Sequence, residues 1–573
     1  FMILAPTGSV ASSLDVGWMA GAALLAAGPD AHLSLMVDDA SYYLEAARRA
    51  VATGSWPSTD GLHPTNGFHP LYMGLLMLVH LVVGDAPRAV VPVVMAIVLV
   101  VNALAMLWLL RALERRHLRG GYTAAVVLAL GAAWWLHATM AVENSVSSLL
   151  LLLAALRWDA RFGAGAPAPS WRARALDGVL IGLAILGRTD AALFAVAYGL
   201  GAGVVVQRAR GMREAFLEGL GIAAVAGLVV APWAWANLHR FGTLAQDSAV
   251  ALGVRYHLDH GAHLSRHGLV AELQGVGFWL YRFLWATGLV PLTAWAWGRI
   301  VPVDRFRAAG RDTRAAWLVM VLAVVALVLR ANGPLDIRVP RVAAVELALG
   351  LVAFVAGLVS SRPEGARWRP VFTVVSAAAL LDVLAYAFGF RGFQVWYATG
   401  PTLACVLFVA SAALPGALAG RRALAAVLVA ILVVQSAWTL RDALVTGGIE
   451  GMDRHLIADG EALRARLESF TAASSTPVVF GSFDSGELAY KVHPFPVINL
   501  DGVMNHEAAV AIRERALARY MQRAGVTHLL TSPLRIEQYR RVEPFAARFD
   551  SAATAELGLS VWVLEHSAPA VVR

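Results

Sequence analysis

A pair of adjacent acids opens the most polar stretch of an otherwise apolar chain. Asp38 and Asp39 begin the segment DDASYYLEAARRA, directly after the first hydrophobic segment. A carboxylate at a membrane surface can take the proton of an attacking hydroxyl when it lies within hydrogen-bond reach. The same two acids also suit the N-cap and first turn of a helix, which they stabilise through the helix dipole. The residues alone leave both interpretations open.

The helix predicted over residues 40–53 has one polar face. The i, i+4, i+7 and i+11 spacing places on that face Asp38, Tyr42, Glu45 and Arg49. Tyr42 lies one turn beyond the first acid and is therefore a predicted substrate-binding residue.

The turn cluster HPTNGFHP, residues 63–70, follows that helix. Asn66 and Gly67 suit a tight turn, and Pro70 suits the first position of the next helix. His63 and His69 are candidates to orient a phosphate or a sugar hydroxyl. A histidine in a surface loop is more often simply solvated, so each is a weak signal by itself.

Three further charged residues lie at junctions between hydrophobic segments, in MAVENS and LGRTDA. They are Glu143, Arg188 and Asp190, and a guanidinium such as Arg188 can pair with a phosphate in bidentate fashion. Arg338 and Arg341 flank a proline at another junction and are further candidates to bind phosphate. The simpler interpretation of all five is that they are ordinary charges at helix ends.

The composition indicates a polytopic membrane protein. Of 573 residues, 58% are hydrophobic and only 15% are charged, with a mean hydropathy of +0.62. In soluble domains about a quarter of the residues are charged. The chain has one cysteine, Cys405, so neither a disulfide framework nor a cysteine-based metal site is possible.

The hydrophobic segments predict about thirteen spanning helices. The apolar stretch 70–84 is too short to span and is better interpreted as an interfacial helix. With that assignment, 21 arginines fall in loops on one side, which the positive-inside rule makes cytoplasmic. These loops are 111–120, 157–175, 207–213, 299–314, 361–369 and 420–422. The acidic window and the junction charges then face the periplasm or exterior. The basic residues are explained by topology, which argues against a nucleic-acid partner.

The composition changes after residue 441. Short apolar runs such as STPVVFGSF and LSVWVLE indicate strands, and the HEAAVAIRERALARYMQRAG segment between two of them indicates an amphipathic helix. We therefore predict two domains, a transmembrane domain over 1–444 and a soluble α/β domain over 445–573. The odd number of spans and a cytoplasmic N-terminus put the second domain outside, on the side of the acids.

Other polar residues offer weaker signals. The spacing of His257, His260 and His263 in the polar loop 236–272 is only loosely that of metal ligands, and a solvated loop is the better interpretation. No cofactor is predicted with certainty, although a divalent cation stays open. Asp382, like Glu346 and Arg282, lies within a predicted span and must face protein or a water-filled cavity.

The segments VDDASYYLEAARRA and TNGFHPLY resemble the GT-C fold of membrane glycosyltransferases. The resemblance is to the branch of protein mannosyltransferases, aminoarabinose transferases and arabinofuranosyltransferases. It implies Asp38 as the catalytic base, Asp39 as the second acid, 11–14 spans and a lipid-linked sugar donor. It also implies a soluble tail domain, and the segment FGSFDSGELAYKVHPFPVINLDG resembles the tail domain of bacterial relatives. The chain has no WWDYG signature, so transfer of a whole oligosaccharide to asparagine is not expected.

The expected protein is thus a GT-C-like all-α membrane enzyme with a small extracytoplasmic α/β domain. We expect it in the bacterial cytoplasmic membrane, moving a sugar from a polyprenyl-phosphate donor to an acceptor hydroxyl with inversion. The acceptor is expected to be a cell-envelope glycan, lipid or protein. A polytopic lipid or sugar transporter or flippase is the alternative, and a sensor or assembly protein is a third class. The clustering of polar residues at one face favours the enzyme, since a transporter needs ionisable residues near the bilayer midplane.

Overall fold

The computed structural model describes residues 28–114, 139–162, 170–255, 370–386 and 456–565, with a few isolated positions between them. Within these residues the chain is mostly helical. The phosphate-binding candidates Arg338 and Arg341 lie outside the described residues. The same holds for His260, His263 and the predicted domain boundary after residue 444.

Besides a helical stretch over residues 247–255, nine helices lie in the part of the described chain that precedes residue 386. They are α1 (Pro29–Leu35), α2 (Asp38–Thr53), α3 (Pro70–Val83), α4 (Pro87–Glu114), α5 (Asn144–Phe162), α6 (Trp171–Gly187), α7 (Ala191–Arg210), α8 (Met212–Phe241) and α9 (Pro370–Leu384). Most coincide with predicted spans. Helix α3 has 14 residues, which is too short to cross a bilayer, as its sequence predicts.

Three described helices are long and apolar enough to cross a membrane. They are Pro87–Leu109, Ala191–Arg210 and Met212–Phe241, and each overlaps a predicted span. Large apolar side chains point outward from two of them, since Leu200 is 67% exposed and Leu228 is 73% exposed. A large exposed apolar surface marks a contact with lipid or with another protein. By length and composition these helices make the chain a membrane protein.

Helices α6 and α8 pack closely through small residues. A Cβ atom placed on Gly178 would lie 2.5 Å from Cβ of Val225, and one on Gly182 would lie 2.7 Å from Cβ of Val229. Small residues at such positions let two backbones approach, which strengthens helix packing in a membrane.

Buried ion pairs hold α5, α6 and α8 together near the N-terminal end of α6. Asp177 binds Arg157 and Arg161, and Glu218 binds Arg161 and Arg174. Both carboxylates are inaccessible to solvent. The arginines of this network belong to the predicted cytoplasmic side, and here they also join three helices.

Residues 456–565, called the C-terminal region below, form a five-stranded sheet with helices around it. The strands are β1 (Phe480–Ser482), β2 (Ile498–Asn499), β3 (His528–Leu530), β4 (Ala547–Phe549) and β5 (Val561–Leu564), in the order β2-β1-β3-β5-β4. Strand β1 is parallel to β2 and β3, whereas β5 is antiparallel to β3 and β4. The helices are α10 (Leu456–Ala473), α11 (Ser485–Val492), α12 (His506–Arg513), α13 (Leu517–Arg523), α14 (Pro533–Arg540) and α15 (Ser551–Leu557).

The C-terminal region packs directly on α2 and on the loop before α3. Helix α11 lies against α2. A Cβ on Gly67 would lie 1.8 Å from the carbonyl oxygen of Val503, so only glycine allows this approach. The side chain of Asp247 accepts hydrogen bonds from the Thr65 hydroxyl and the Asn66 amide, both at 2.9 Å, and pairs with His506 at 2.7 Å. The predicted turn is therefore a contact between distant segments.

Candidate active site

Asp38 is the first residue of α2. The N-cap is Val37, whose extended backbone ends the preceding segment, so Asp38 is not the capping residue itself. Its Oδ1 accepts the Asp39 amide at 2.8 Å, and both acids lie in the first turn, where the helix dipole favours them. Asp38 and Asp39 are only partly buried, although every residue from 40 to 50 is buried. Burial, followed by the charge of Asp484, raises the pKa of Asp38.

Two charged residues of the C-terminal region face this end of α2. Asp484 interacts electrostatically with Asp38, and so does Arg535 with the opposite sign. Arg535 in turn binds Asp484, with Nη2 and Nε at 2.9 and 3.2 Å from the same carboxylate oxygen. We call Asp38, Asp39, Asp484 and Arg535 the Asp38 site. It combines three carboxylates and one guanidinium, and all four residues retain access to solvent.

Tyr42, a predicted substrate-binding residue, contacts the C-terminal region. Its hydroxyl donates a 2.7 Å hydrogen bond to Oδ2 of Asp501, and both side chains are buried. The other oxygen of Asp501 accepts the Val503 amide at 2.8 Å. Burial raises the pKa of both Tyr42 and Asp501. Tyr42 thus joins the start of α2 to the C-terminal region.

The polar face of α2 continues this contact one and two turns later. Glu45 lies 2.5 Å from Nε of Arg49 and 2.9 Å from Nδ1 of His493. Arg49 also donates to the carbonyls of Pro494 and Phe495, both at 3.3 Å. The polar face predicted by the spacing is therefore present, and its residues after Tyr42 bind the C-terminal region.

The predicted junction charges meet in a second group, which we call the Arg188 cluster: His69, Glu143, Arg188, Asp190 and Tyr386. Arg188 is 3% exposed, and each of its three guanidinium nitrogens bonds a protein group. Its Nε contacts both oxygens of Asp190 at 2.9 and 2.8 Å, and Nη1 contacts Glu143 at 2.8 Å. Nη1 also reaches the Asn144 side chain at 2.9 Å, and Nη2 reaches the Tyr386 hydroxyl at 3.2 Å.

His69 forms contacts through both nitrogens of its ring. Its Nε2 lies 3.5 Å from Glu143, and its Nδ1 accepts the Thr189 amide at 3.3 Å. Burial lowers the pKa of His69. Tyr43 on α2 links the two groups, because its hydroxyl accepts the His69 amide at 3.3 Å. Consecutive tyrosines of α2 therefore face the C-terminal region and the Arg188 cluster.

An apolar cavity adjoins the Arg188 cluster between α5, α7 and α9. Arg188, Asp190 and Asp382 line its polar part. Its other lining residues are mostly apolar: Leu151, Ala191, Phe194, Val375, Ala378, Thr399, Gly400 and Leu403. Asp382, which lies within a predicted span, thus lines a small cavity, in line with the expectation that it faces protein or a cavity.

His63 lies apart from both groups. Its Nδ1 is 2.7 Å from Asp60, and its ring is 6.1 Å from the ring of Tyr520 in the C-terminal region. Burial would lower the pKa of His63, but the bond to Asp60 and its charge outweigh burial and raise it. His63 therefore belongs to the contact between the loop before α3 and the C-terminal region.

Sequence reasoning missed the residues that the C-terminal region contributes. Asp484 and Asp501 lie in FDSGEL and NLDG, where an acid before a helix or in a turn suggests only local structure. Tyr386 was also missed, although it lies one turn after the noted Asp382. No group of three or more histidine, cysteine or acidic residues that could hold a metal ion occurs in the described part of the chain.

Comparison with protein-family models finds no match, and comparison with curated proteins finds none either. Among solved structures, the chain is similar to ArnT from Cupriavidus metallidurans bound to undecaprenyl phosphate. The similarity covers 96% of this chain and 98% of that one, at 15% identity and a TM-score of 0.44. It is also similar to the oligosaccharyltransferase AglB from Archaeoglobus fulgidus, in complex with an inhibitory peptide and a dolichol-phosphate. That match covers 96% of this chain and 74% of the other, at 11% identity and a TM-score of 0.40. Likeness at this level carries no weight for activity, which must be inferred from the chain's own residues.

Proposed function

We propose that the chain is a membrane glycosyltransferase that moves a sugar from a polyprenyl-phosphate donor to an acceptor hydroxyl. The observation that carries the proposal is the position of Asp38. Its carboxylate is partly exposed at the start of α2, whose following residues are buried, and this helix packs against the C-terminal region. The raised pKa of Asp38 suits a general base, since a base works best when its pKa approaches the working pH.

In the proposed reaction, Asp38 takes the proton of the acceptor hydroxyl. The hydroxyl oxygen forms a bond to the anomeric carbon as the bond from that carbon to the phosphate oxygen breaks. The polyprenyl phosphate leaves with the electron pair, and attack from the opposite side inverts the anomeric centre. The sugar carbon passes through an oxocarbenium-like state, as in related glycosyl chemistry.

The cavity beside the Arg188 cluster is about the size of one water molecule, so it offers no room for the lipid part of the donor. Every nitrogen of the Arg188 guanidinium already bonds a protein group. We therefore assign it mainly to holding Glu143 and Asp190, and keep Arg338 and Arg341 as further phosphate candidates.

The deciding experiment incubates purified protein with a panel of polyprenyl-phosphate sugars and membrane extract as acceptor. We expect the wild type to cleave the sugar–phosphate bond of one donor, and Asp38→Asn to leave it intact. In proteoliposomes, movement of a donor across the bilayer with that bond intact would instead identify a flippase.

We place the site on the outer face of the bacterial cytoplasmic membrane. In a Cys405→Ser background, Leu62→Cys and Leu534→Cys should react with a membrane-impermeant thiol reagent on spheroplasts. Both positions are well exposed, at 65% and 67%. Arg210→Cys, at the exposed end of α7 in a predicted cytoplasmic loop, should not react. The reverse labelling pattern would invert the orientation.

A further inference from the structure

The start of α11 lies against the start of α2. A Cβ atom on Gly486 would lie 2.6 Å from the ring of Tyr42 and 2.8 Å from the hydroxyl of Ser41. Gly486 thus permits a contact that any other residue would prevent. Asp484 precedes Gly486 by two residues, and Ser41 follows Asp38 by three. The contact therefore brings the two acids to the same end of the interface.

Arg535 holds Asp484 in this place from another helix. Two of its nitrogens bind one oxygen of Asp484, and its Nη1 donates to Gln538 at 3.2 Å. The side chain of Asp484 is 49% exposed and that of Arg535 is 26% exposed. An ion pair so open to water contributes little to stability. Its position beside Asp38 gives it another use.

Charged groups surround Asp38 from both α2 and the C-terminal region. Asp39 neighbours it on α2, and Asp484 and Arg535 face it from the C-terminal region. Beyond them lie Asp501, which Tyr42 holds, and Arg255, which interacts with Arg535. Asp484 raises the pKa of Asp38, after the larger effect of burial, and Arg535 lowers it. The two residues thus act on one carboxylate with opposite signs.

The geometry points to Asp484 and Arg535 as a pair of positioning residues that complete the site at Asp38 and control when this carboxylate can take a proton. The inference rests on the proposed function, in which Asp38 is the base. It makes the C-terminal region part of the reaction site rather than an accessory domain. Neither residue needs to touch the acceptor for this role.

The experiment measures the pH dependence of sugar transfer in Asp484→Asn and Arg535→Gln. Removing the negative charge should move the acid limb of the rate to lower pH. Removing the positive charge should move it to higher pH, by roughly half a unit to one unit in each case. Arg535→Lys keeps the charge and should restore most of the wild-type profile. A purely structural role would reduce the rate in both variants without opposite shifts.

A second measurement does not require activity. The melting temperature of each protein in detergent is compared with that of its Asp38→Asn derivative across a pH series. The inflection of this difference reports the titration of Asp38, and it should move down in Asp484→Asn and up in Arg535→Gln. Glu537→Gln and Arg513→Gln, which remove exposed charges elsewhere in the C-terminal region, should leave it in place.

The outcomes separate the two proposals. Opposite shifts support the inference, whereas shifts of the same sign or none overturn it. Full transfer by Asp38→Asn would refute Asp38 as the base, yet the melting series would still decide whether Asp484 and Arg535 control its protonation.

Discussion

The Arg188 cluster and the Asp38 site are two groups of charged residues near the start of α2, and they differ in burial and in charge balance. In the Arg188 cluster, one buried guanidinium binds two carboxylates and a tyrosine, and a histidine lies beside one of these carboxylates. In the Asp38 site, three carboxylates share one guanidinium and remain partly open to water. A buried charge must be paired, or the protein becomes unstable. An open and unbalanced group of acids can exchange protons with a substrate, so we expect stability from the first and chemistry from the second.

The sharpest test of this comparison is Asp38→Asn. A positioned base typically contributes about 10²–10⁴ in rate, so sugar transfer should fall by that order. Stability should change by only about 0.5 kcal/mol, because Asp38 is partly exposed and asparagine keeps the size of its side chain. Transfer assays and melting curves measure the two effects. Near-normal turnover in a folded variant would place the base elsewhere.

Arg188→Ala should show the opposite profile. Removing one partner of a buried ion pair costs about 3–5 kcal/mol, here because Glu143 and Asp190 lose their shared cation. We expect a much lower melting temperature in detergent. Arg210→Ala removes an exposed arginine and should have little effect. If Arg188→Ala melted like the wild type but bound a polyprenyl-phosphate sugar more weakly, Arg188 would be a donor ligand instead.

The contact between Tyr42 and Asp501 should contribute an intermediate amount. Tyr42→Phe leaves Oδ2 of the buried Asp501 without the hydrogen bond that Tyr42 donates, which costs about 1–3 kcal/mol. Tyr490→Phe is a matched control, since the Tyr490 hydroxyl is also buried but has no hydrogen-bond partner among the described residues. Melting curves of both variants would measure the difference. Equal losses would mean that the Tyr42 hydroxyl does not hold the C-terminal region.

The smallest expected effect is the pH dependence of the pair His63 and Asp60. The folded pKa of His63 is raised above its ordinary value of 6.5, so its contribution is complete below that pH and is lost as pH rises through the folded pKa. The folded pKa of Asp60 is lowered from 3.8, so its contribution is complete above that pH and is lost as pH falls through the folded pKa.

The melting temperature of the wild type should therefore exceed that of His63→Gln most clearly between pH 3.8 and 6.5. The gain should be about 1 kcal/mol or less. His257→Gln, which replaces an exposed histidine, should show no such window. A difference that does not vary with pH would exclude an ionic pair at His63.

Much of the candidate site followed from local pattern. The two acids, the tyrosine one turn later and the polar face of α2 were predicted from spacing, and all lie where the spacing puts them. A topology drawn from hydrophobic segments and arginine bias predicted Glu143, Arg188 and Asp190 on one side of the membrane, and the structure brings them into contact. This prediction was possible because hydrophobic length and arginine bias can both be read from short windows of the sequence. The sequence did not predict that His63 and His69 lie in different groups. They are six positions apart in a turn cluster, and the pattern of a turn does not fix the direction of either ring.

The sequence by itself determined the apolar helices, the short α3 and the helix that begins at the acids, because residue period and composition act over a few turns. Only the tertiary structure decided what these residues meet. Tyr42 and Asp501 are 459 positions apart, and no local signal connects them. The approach of α11 to α2 depends on Gly486, and the charge balance at Asp38 depends on Asp484 and Arg535. Chemistry at Asp38 is a matter of distance and burial between distant segments, and packing alone sets both.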